Sequence, residues 1–170
     1  MIELLILYEL KQKVLTMYGI SKEIRQDFSV LTTPSYGTIK PALTRLATKG
    51  FIKIQKDISS GGRRSNYYSI TQEGEKELAR LLLEKPLDNP IQFLPTARVK
   101  LACSSVLDSA KQKEICKVLK QKTEEIYFDI KSLLADKNLD FYKKMVFDNL
   151  ICEYRNFISL LEGFERACNN

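Results

Sequence analysis

Ser35-Tyr36-Gly37-Thr38-Ile39-Lys40-Pro41-Ala42-Leu43-Thr44-Arg45-Leu46, running on to Gly50-Phe51-Ile52, is the stretch on which the fold turns. Ile39, Leu43 and Leu46 recur at the three- and four-residue steps of one helix face. The opposite face carries Tyr36, Thr38, Lys40 and Thr44, with Arg45 at its flank. Ser35 is placed to cap this helix and Gly50 to stop it. Pro41 falls inside, where it removes one backbone bond. After Gly50 the period changes. Phe51, Ile52 and Ile54 are β-prone, Ser59-Ser60-Gly61-Gly62 is turn chemistry, and Tyr67, Tyr68 and Ile70 form a second β-prone run. The pattern predicts a hairpin whose tip carries Arg63 and Arg64 beside two glycines.

Upstream, Ile2 to Lys13 reads as a helix with Leu4, Leu5, Leu7 and Leu10 apolar. Thr16 is placed to cap a second, whose stripe is Met17, Ile20, Ile24 and Phe28. Ser29 to Pro34 is a turn. Downstream, Thr71 caps a helix over Gln72 to Leu83, and Glu73 and Glu75 suit the positive end of its dipole. Pro86, Pro90 and Pro95 mark a linker. Three helices are expected beyond it: Thr96 to about Leu107, Ser109 to about Asp136, and Leu139 to about Ala167. Ile115, Leu119, Ile126, Ile130 and Leu133 line the middle one, and Tyr142, Met145, Val146, Leu150, Tyr154, Phe157, Leu161 and Phe164 the last. The chain therefore reads as mainly α with a small β-hairpin wing. A winged helix-turn-helix covers 1–85, a linker 86–95, and a helical dimerisation domain 96–170.

Charge is concentrated rather than spread. The chain carries a net +6, and residues 36–70 hold seven basic residues against the single acid Asp57, so the remainder sums to zero. A basic patch confined to one stretch is the footprint of a polyanion site. A helix face of hydroxyls and cations is of the kind that enters the major groove, with the wing against the backbone or minor groove. The expected DNA-binding residues are Ser35, Tyr36, Thr38, Lys40, Thr44, Arg45, Arg63 and Arg64. A winged helix used for protein contacts would instead need an apolar patch on the third helix.

Histidine is absent, which removes the commonest general base, and no nucleophile–base pair sits at a telling spacing, so no enzyme is expected. Cys103, Cys116, Cys152 and Cys168 form no C-x-x-C pair and read as buried or half-buried free thiols of a reducing compartment. No metal or cofactor is expected. No apolar run approaches the ~20 residues that span a bilayer. Glu3 and Glu9 interrupt the apolar start, which also lacks a basic leader, so the expected location is cytoplasmic.

The ordered set of motifs resembles the PadR family of bacterial regulators. Members carry S-x-G-T-[LI]-Y-P-A-L-x-R-L followed by G-[LF]-[IL], a Gly-Gly-Arg-Arg wing, and a close of the form Tyr-x-[LI]-T-x-x-G. Here the wing is Gly61-Gly62-Arg63-Arg64 and the close runs Tyr67-Tyr68-Ser69-Ile70-Thr71-Gln72-Glu73-Gly74. Tyr18 and Ile20 fit the second-helix pattern, whose glycine is Met17 here. Lys40 replaces the usual tyrosine before Pro41 and adds a cation where the groove would lie. The resemblance covers about residues 4 to 83. It implies a sequence-specific regulator of double-stranded DNA, a repressor released by a small aromatic effector. It also suits a homodimer, with the stripe of the last helix as the seam and as the effector's apolar surroundings.

Overall fold

Apolar periodicity in the first half of the chain closes a helical core over a small sheet. The computed structural model describes residues 1–58, 64–85 and 88–168. In chain order the elements are α1 (Ile2–Gln12), β1 (Leu15–Thr16), α2 (Met17–Phe28), α3 (Tyr36–Thr48), β2 (Ile52–Ile58), β3 (Arg64–Ile70), α4 (Gln72–Leu83), α5 (Pro90–Ala102), a 3-10 turn (Ser104–Val106), α6 (Ser109–Leu134) and α7 (Phe141–Ala167). The hairpin tip at 59–63, with Arg63, lies outside the described residues. Two units result: residues 1–84 with 98–106, and residues 85–97 with 107–170.

In the first unit, α1 buries Leu4, Leu5, Ile6, Leu7 and Leu10, α2 buries Ile20, Ile24 and Phe28, and α3 buries Ile39, Ala42, Leu43 and Leu46. Tyr8 meets Phe28 edge to face at 5.7 Å between ring centroids. Thr16 caps α2 as its position foretold, its hydroxyl accepting from the Gly19 amide at 3.1 Å. α3 runs unbroken through Pro41, which faces solvent. It ends in a Schellman motif: Gly50, at φ +74°, donates to the Ala47 carbonyl, and Phe51 donates to that of Leu46.

The sheet is antiparallel in the order β1-β3-β2. Leu15 pairs with Tyr68, and β2 pairs with β3 from Ile52↔Ile70 out to Ile58↔Arg64. Strand β1 was not anticipated, because two residues carry no readable alternation. The base of the hairpin is tied to α4. The Thr71 hydroxyl accepts from the Gly74 amide at 3.0 Å and donates to the Gly50 carbonyl at 2.7 Å. A Cβ on Gly74 would lie 2.0 Å from the Phe51 carbonyl oxygen, so only glycine permits this approach. Past the end of α4, the buried Lys100 ammonium donates to the Glu84 carbonyl, one of the groups that a helix end leaves unpaired. Burial holds the Lys100 pKa below that of an ordinary lysine.

In the second unit α6 and α7 form an antiparallel pair, since the start of one meets the end of the other. Ser109 donates to the Cys168 carbonyl at 3.1 Å, and Lys120 lies 3.3 Å from Glu165. Asp108 and Asp140 cap the two helices, accepting from the Lys111 and Lys143 amides at 2.9 and 3.0 Å. Ile115, Cys116, Leu119 and Ile130 of α6 are buried, as are Ile151, Tyr154, Phe157 and Leu161 of α7. Phe93 from the first half of α5 stacks on Tyr154 and stands edge-on to Phe157, each at 6.4 Å.

Residues 90–95, expected as linker, are helical, and α5 begins at Pro90 rather than Thr96. The Asn89 side chain accepts from the Ile91 amide at 3.0 Å, and Pro90 fits a first helical position because it has no amide to leave unpaired. Cys103 and Cys116 are buried and Cys168 half-buried, but Cys152 is exposed, one residue off the buried position at Ile151. No helix among the described residues is long and apolar enough to cross a membrane.

Candidate nucleic-acid interface

Helix α3 presents two chemically distinct faces. Its buried residues Ile39, Ala42, Leu43 and Leu46 seat it in the unit's core. That leaves Tyr36, Gly37, Thr38, Lys40, Pro41, Thr44 and Arg45 exposed, so the five residues expected on the polar side are on it. Ser35 occupies the N-cap position, but its side chain makes no cap bond to the backbone. Its hydroxyl lies 3.2 Å from that of Thr38 instead, and the Ser35 carbonyl takes the Thr38 and Ile39 amides. Thr44 donates to the Lys40 carbonyl at 3.2 Å, which leaves its hydroxyl oxygen open as an acceptor.

Arg45 stands apart from Lys40, the other cation of this face. Its Nε donates to Glu3 Oε1 of α1 at 2.7 Å, across 42 positions of sequence. No sequence pattern signals that partner, since helix spacing rules reach only one turn. The pair is partly exposed and screened, so it constrains the direction of Arg45 more than it stabilises the fold.

On the wing, Arg64 opens β3 opposite Ile58, and its side chain is exposed. Lys56, Asp57, Arg64, Ser65 and Asn66 line a shallow hollow on the hairpin. Lys53 and Lys56 on β2 are exposed as well. They belong to the basic stretch yet were absent from the expected contacts. Their signal was alternation in β2, which aims Lys53, Gln55 and Asp57 to one side and Lys56 with Ile54 to the other. Arg63 lies outside the described residues.

The expected seam on α7 is split. Tyr142, Met145 and Val146 are exposed at 80, 57 and 58%, alongside Phe141 at 68%. Leu150 and Phe164 are half-buried. Tyr154, Phe157 and Leu161 are already buried within the chain itself, at no more than 3% exposure. The long stripe therefore does two jobs: its later part seats α7 on α6 and Phe93, and only its first part is left open. Phe128 and Leu133, late in α6, are also exposed, and Leu133 thus departs from the inward face expected for it.

Residues 6–80 match the family model described as the transcriptional regulator PadR-like family. Among curated proteins no match is found. A PadR family transcription regulator from hypervirulent Clostridium difficile R20291 is 35% identical over 45% of this chain and 78% of that one, with a TM-score of 0.41. Bacillus subtilis PadR in complex with operator DNA is similar at 20% identity over 98% of both chains, with a TM-score of 0.48. The same protein in complex with p-coumaric acid is similar at 19% identity over 99% of this chain and 95% of that one, with a TM-score of 0.43.

Proposed function

This chain belongs to the PadR-like family of transcriptional regulators, and on that premise we propose that it binds double-stranded operator DNA as a homodimeric repressor. The observation that carries this reading is the exposed face of α3, with Tyr36, Thr38, Lys40 and Thr44 directed away from the core. In this reading the face enters the major groove, where hydroxyls and an ammonium meet base edges and phosphates. Ser35, at the positive end of α3, supports a phosphate contact. Arg45 reaches the backbone from the flank once it leaves Glu3. Arg64 and Arg63 place the wing on the adjacent backbone or minor groove.

The dimer reading draws on the open end of α7. Phe141, Tyr142, Met145 and Val146 are large apolar side chains left in water, and a second copy is the cover that a two-fold operator requires. Half-sites then fall about 34–36 Å apart. Release by a small aromatic molecule follows from the same surface. Met adapts its shape and Tyr offers a polar handle, so a ligand wedged there shifts the spacing of the two winged helices.

A gel shift with the DNA upstream of the chain's own gene, repeated across salt concentrations, tests the DNA reading. With about six phosphate contacts per dimer, log affinity should fall against log salt with a slope near −5. Absence of any salt-sensitive shift overturns it. Sedimentation at micromolar concentration tests the dimer. A monomeric full chain refutes it, and Tyr142→Glu with Val146→Glu should produce that monomer. p-Coumaric acid is the first effector to try, and it must lower DNA affinity, not merely bind, because only unequal binding to the two states shifts them.

A further inference from the structure

Glu9 is the misfit of α1. It lies among the buried leucines of that helix, is itself 2% exposed, and its Oε1 has no hydrogen-bond partner. Buried carboxylates without partners are costly and uncommon. Glu23 and Asp27 stand four residues apart on one face of α2 and complete a cluster with it. One oxygen from each of the three carboxylates lies within 4.8 Å of the other two. Lys13 Nζ sits 2.9 Å from Glu23 Oε2, and this one ammonium set against three carboxylates leaves a formal charge of −2. Burial first, then Asp27 and Glu23, push the Glu9 carboxyl up to about 7, so the local field is unrelieved.

We propose that Glu9, Glu23 and Asp27 bind a hard divalent cation, holding α1 to α2 in the first unit. The donor set is oxygen alone, which favours Ca²⁺, Mn²⁺ or Mg²⁺ over the softer metals that seek thiolate or imidazole. Ca²⁺ holds its oxygens at about 2.3–2.6 Å, so opposite ligands stand roughly 4.6–5.2 Å apart. The three oxygens, all within 4.8 Å of one another, fit inside that span. Mg²⁺, with bonds of about 2.0–2.1 Å, demands near-octahedral geometry and gives up its waters reluctantly, so it should bind more weakly. The cation supplies the partner that Glu9 Oε1 lacks and cancels the residual charge. Asp27 is exposed, so the site is open on one side for ion entry and for the waters that complete the coordination. A proton is the rival occupant, and the metal titrations below distinguish the two. The sequence hid the site because its ligands come from two helices and follow no ligand spacing.

The test uses the full chain, stripped by a chelator and dialysed. MnCl₂, CaCl₂ and MgCl₂ are titrated separately, following melting temperature in every case and the free-ion electron paramagnetic resonance signal for Mn²⁺. About one Mn²⁺ per chain should leave the free-ion spectrum, and Ca²⁺ should displace it. The melting temperature should climb with the logarithm of ion concentration, as for any ligand that binds only the folded state. Glu9→Gln keeps the side chain's shape and should lower Mn²⁺ affinity at least about tenfold, since even outer partners of a bound metal carry roughly that much. Asp27→Asn should do the same at an exposed position where folding is not at stake. Glu73→Gln, an exposed acid of α4, should change nothing. Mn²⁺ that stays free of the wild-type chain at millimolar concentration overturns the proposal. So does uptake that persists unchanged in the Asp27→Asn chain.

Discussion

The polar face of α3 and the open end of α7 are both surfaces turned to water, and they are chemical opposites. The first offers Tyr36, Thr38, Lys40 and Thr44; the second offers Phe141, Tyr142, Met145 and Val146. A cationic, hydroxyl-bearing face is content in water and attracts a polyanion through its charge. A cluster of large apolar side chains is not content there, and its own hydration favours a cover. The difference teaches that the two surfaces are suited to different partners by different forces. One force is long-ranged and screened by salt, the other short-ranged and nearly indifferent to it.

The largest expected effect separates the two units by their thiols. Cys103 is fully buried in the first unit and burial raises its pKa from 9.0 to about 12, whereas Cys152 is exposed on α7. Because the thiolate is the reacting form, Cys103 at pH 8 carries about a thousandfold less of it than an ordinary thiol. Its alkylation should also rise about tenfold per pH unit up to that value. Mass spectrometry after brief iodoacetamide treatment should find Cys152 labelled and Cys103 spared. Equal labelling would mean that the first unit opens readily.

Next comes a crossed pair of variants. Lys40→Ala with Arg64→Ala removes two cations per protomer and should flatten the salt slope from near −5 to about −2, with the oligomeric state unchanged. Tyr142→Glu with Val146→Glu should abolish self-association, and with about three contacts per chain in place of six per dimer the slope should fall to about −3. If the Lys40→Ala, Arg64→Ala chain also loses self-association, the separation of the two surfaces fails.

Smaller effects concern the base of the wing. Gly74→Ala forces a Cβ against the Phe51 carbonyl oxygen, a backbone atom that cannot swing aside. The expected loss is about 3 kcal/mol, the upper end for overpacking, read by urea denaturation. Thr71→Ala removes a cap and should cost about 1 kcal/mol. An unaltered midpoint for Gly74→Ala would show that the hairpin base yields more than its hydrogen bonds imply.

The sequence was most legible where signals were local. Thr16 and Thr71 cap helices, Gly50 stops one, and Ile39, Leu43 and Leu46 turn inward, because each depends on neighbours within one turn. It was less legible where a residue serves two grammars. Pro90 and Pro95 read as linker punctuation, yet Pro90 starts α5 because Asn89 precedes it as a cap. Periodicity marked the α7 stripe but gave no means of telling that Phe93 would cover Tyr154 and Phe157 and leave Tyr142 open. The Glu3–Arg45 pair and the Glu9 cluster lie beyond such reading, since each joins residues from different helices.

On the proposed DNA reading, the Glu3–Arg45 contact gives Arg45 an internal stand-in for a phosphate. The Glu3 carboxylate 2.7 Å from Nε satisfies the guanidinium with the same charge-assisted bond that a phosphate would offer. On the proposed reading, Arg45 meets DNA with its Nη donors unless Nε is drawn off Glu3, and Glu3 stays beside the contact as a repelling charge. In that reading Arg45 contributes most where α3 is seated deeply enough to draw it off Glu3. In this light Glu3→Gln is a loosened latch: it should tighten binding to unrelated DNA more than to the operator, narrowing the ratio between them in a competition gel shift. A ratio left unchanged would return Glu3 to the rank of an ordinary surface acid.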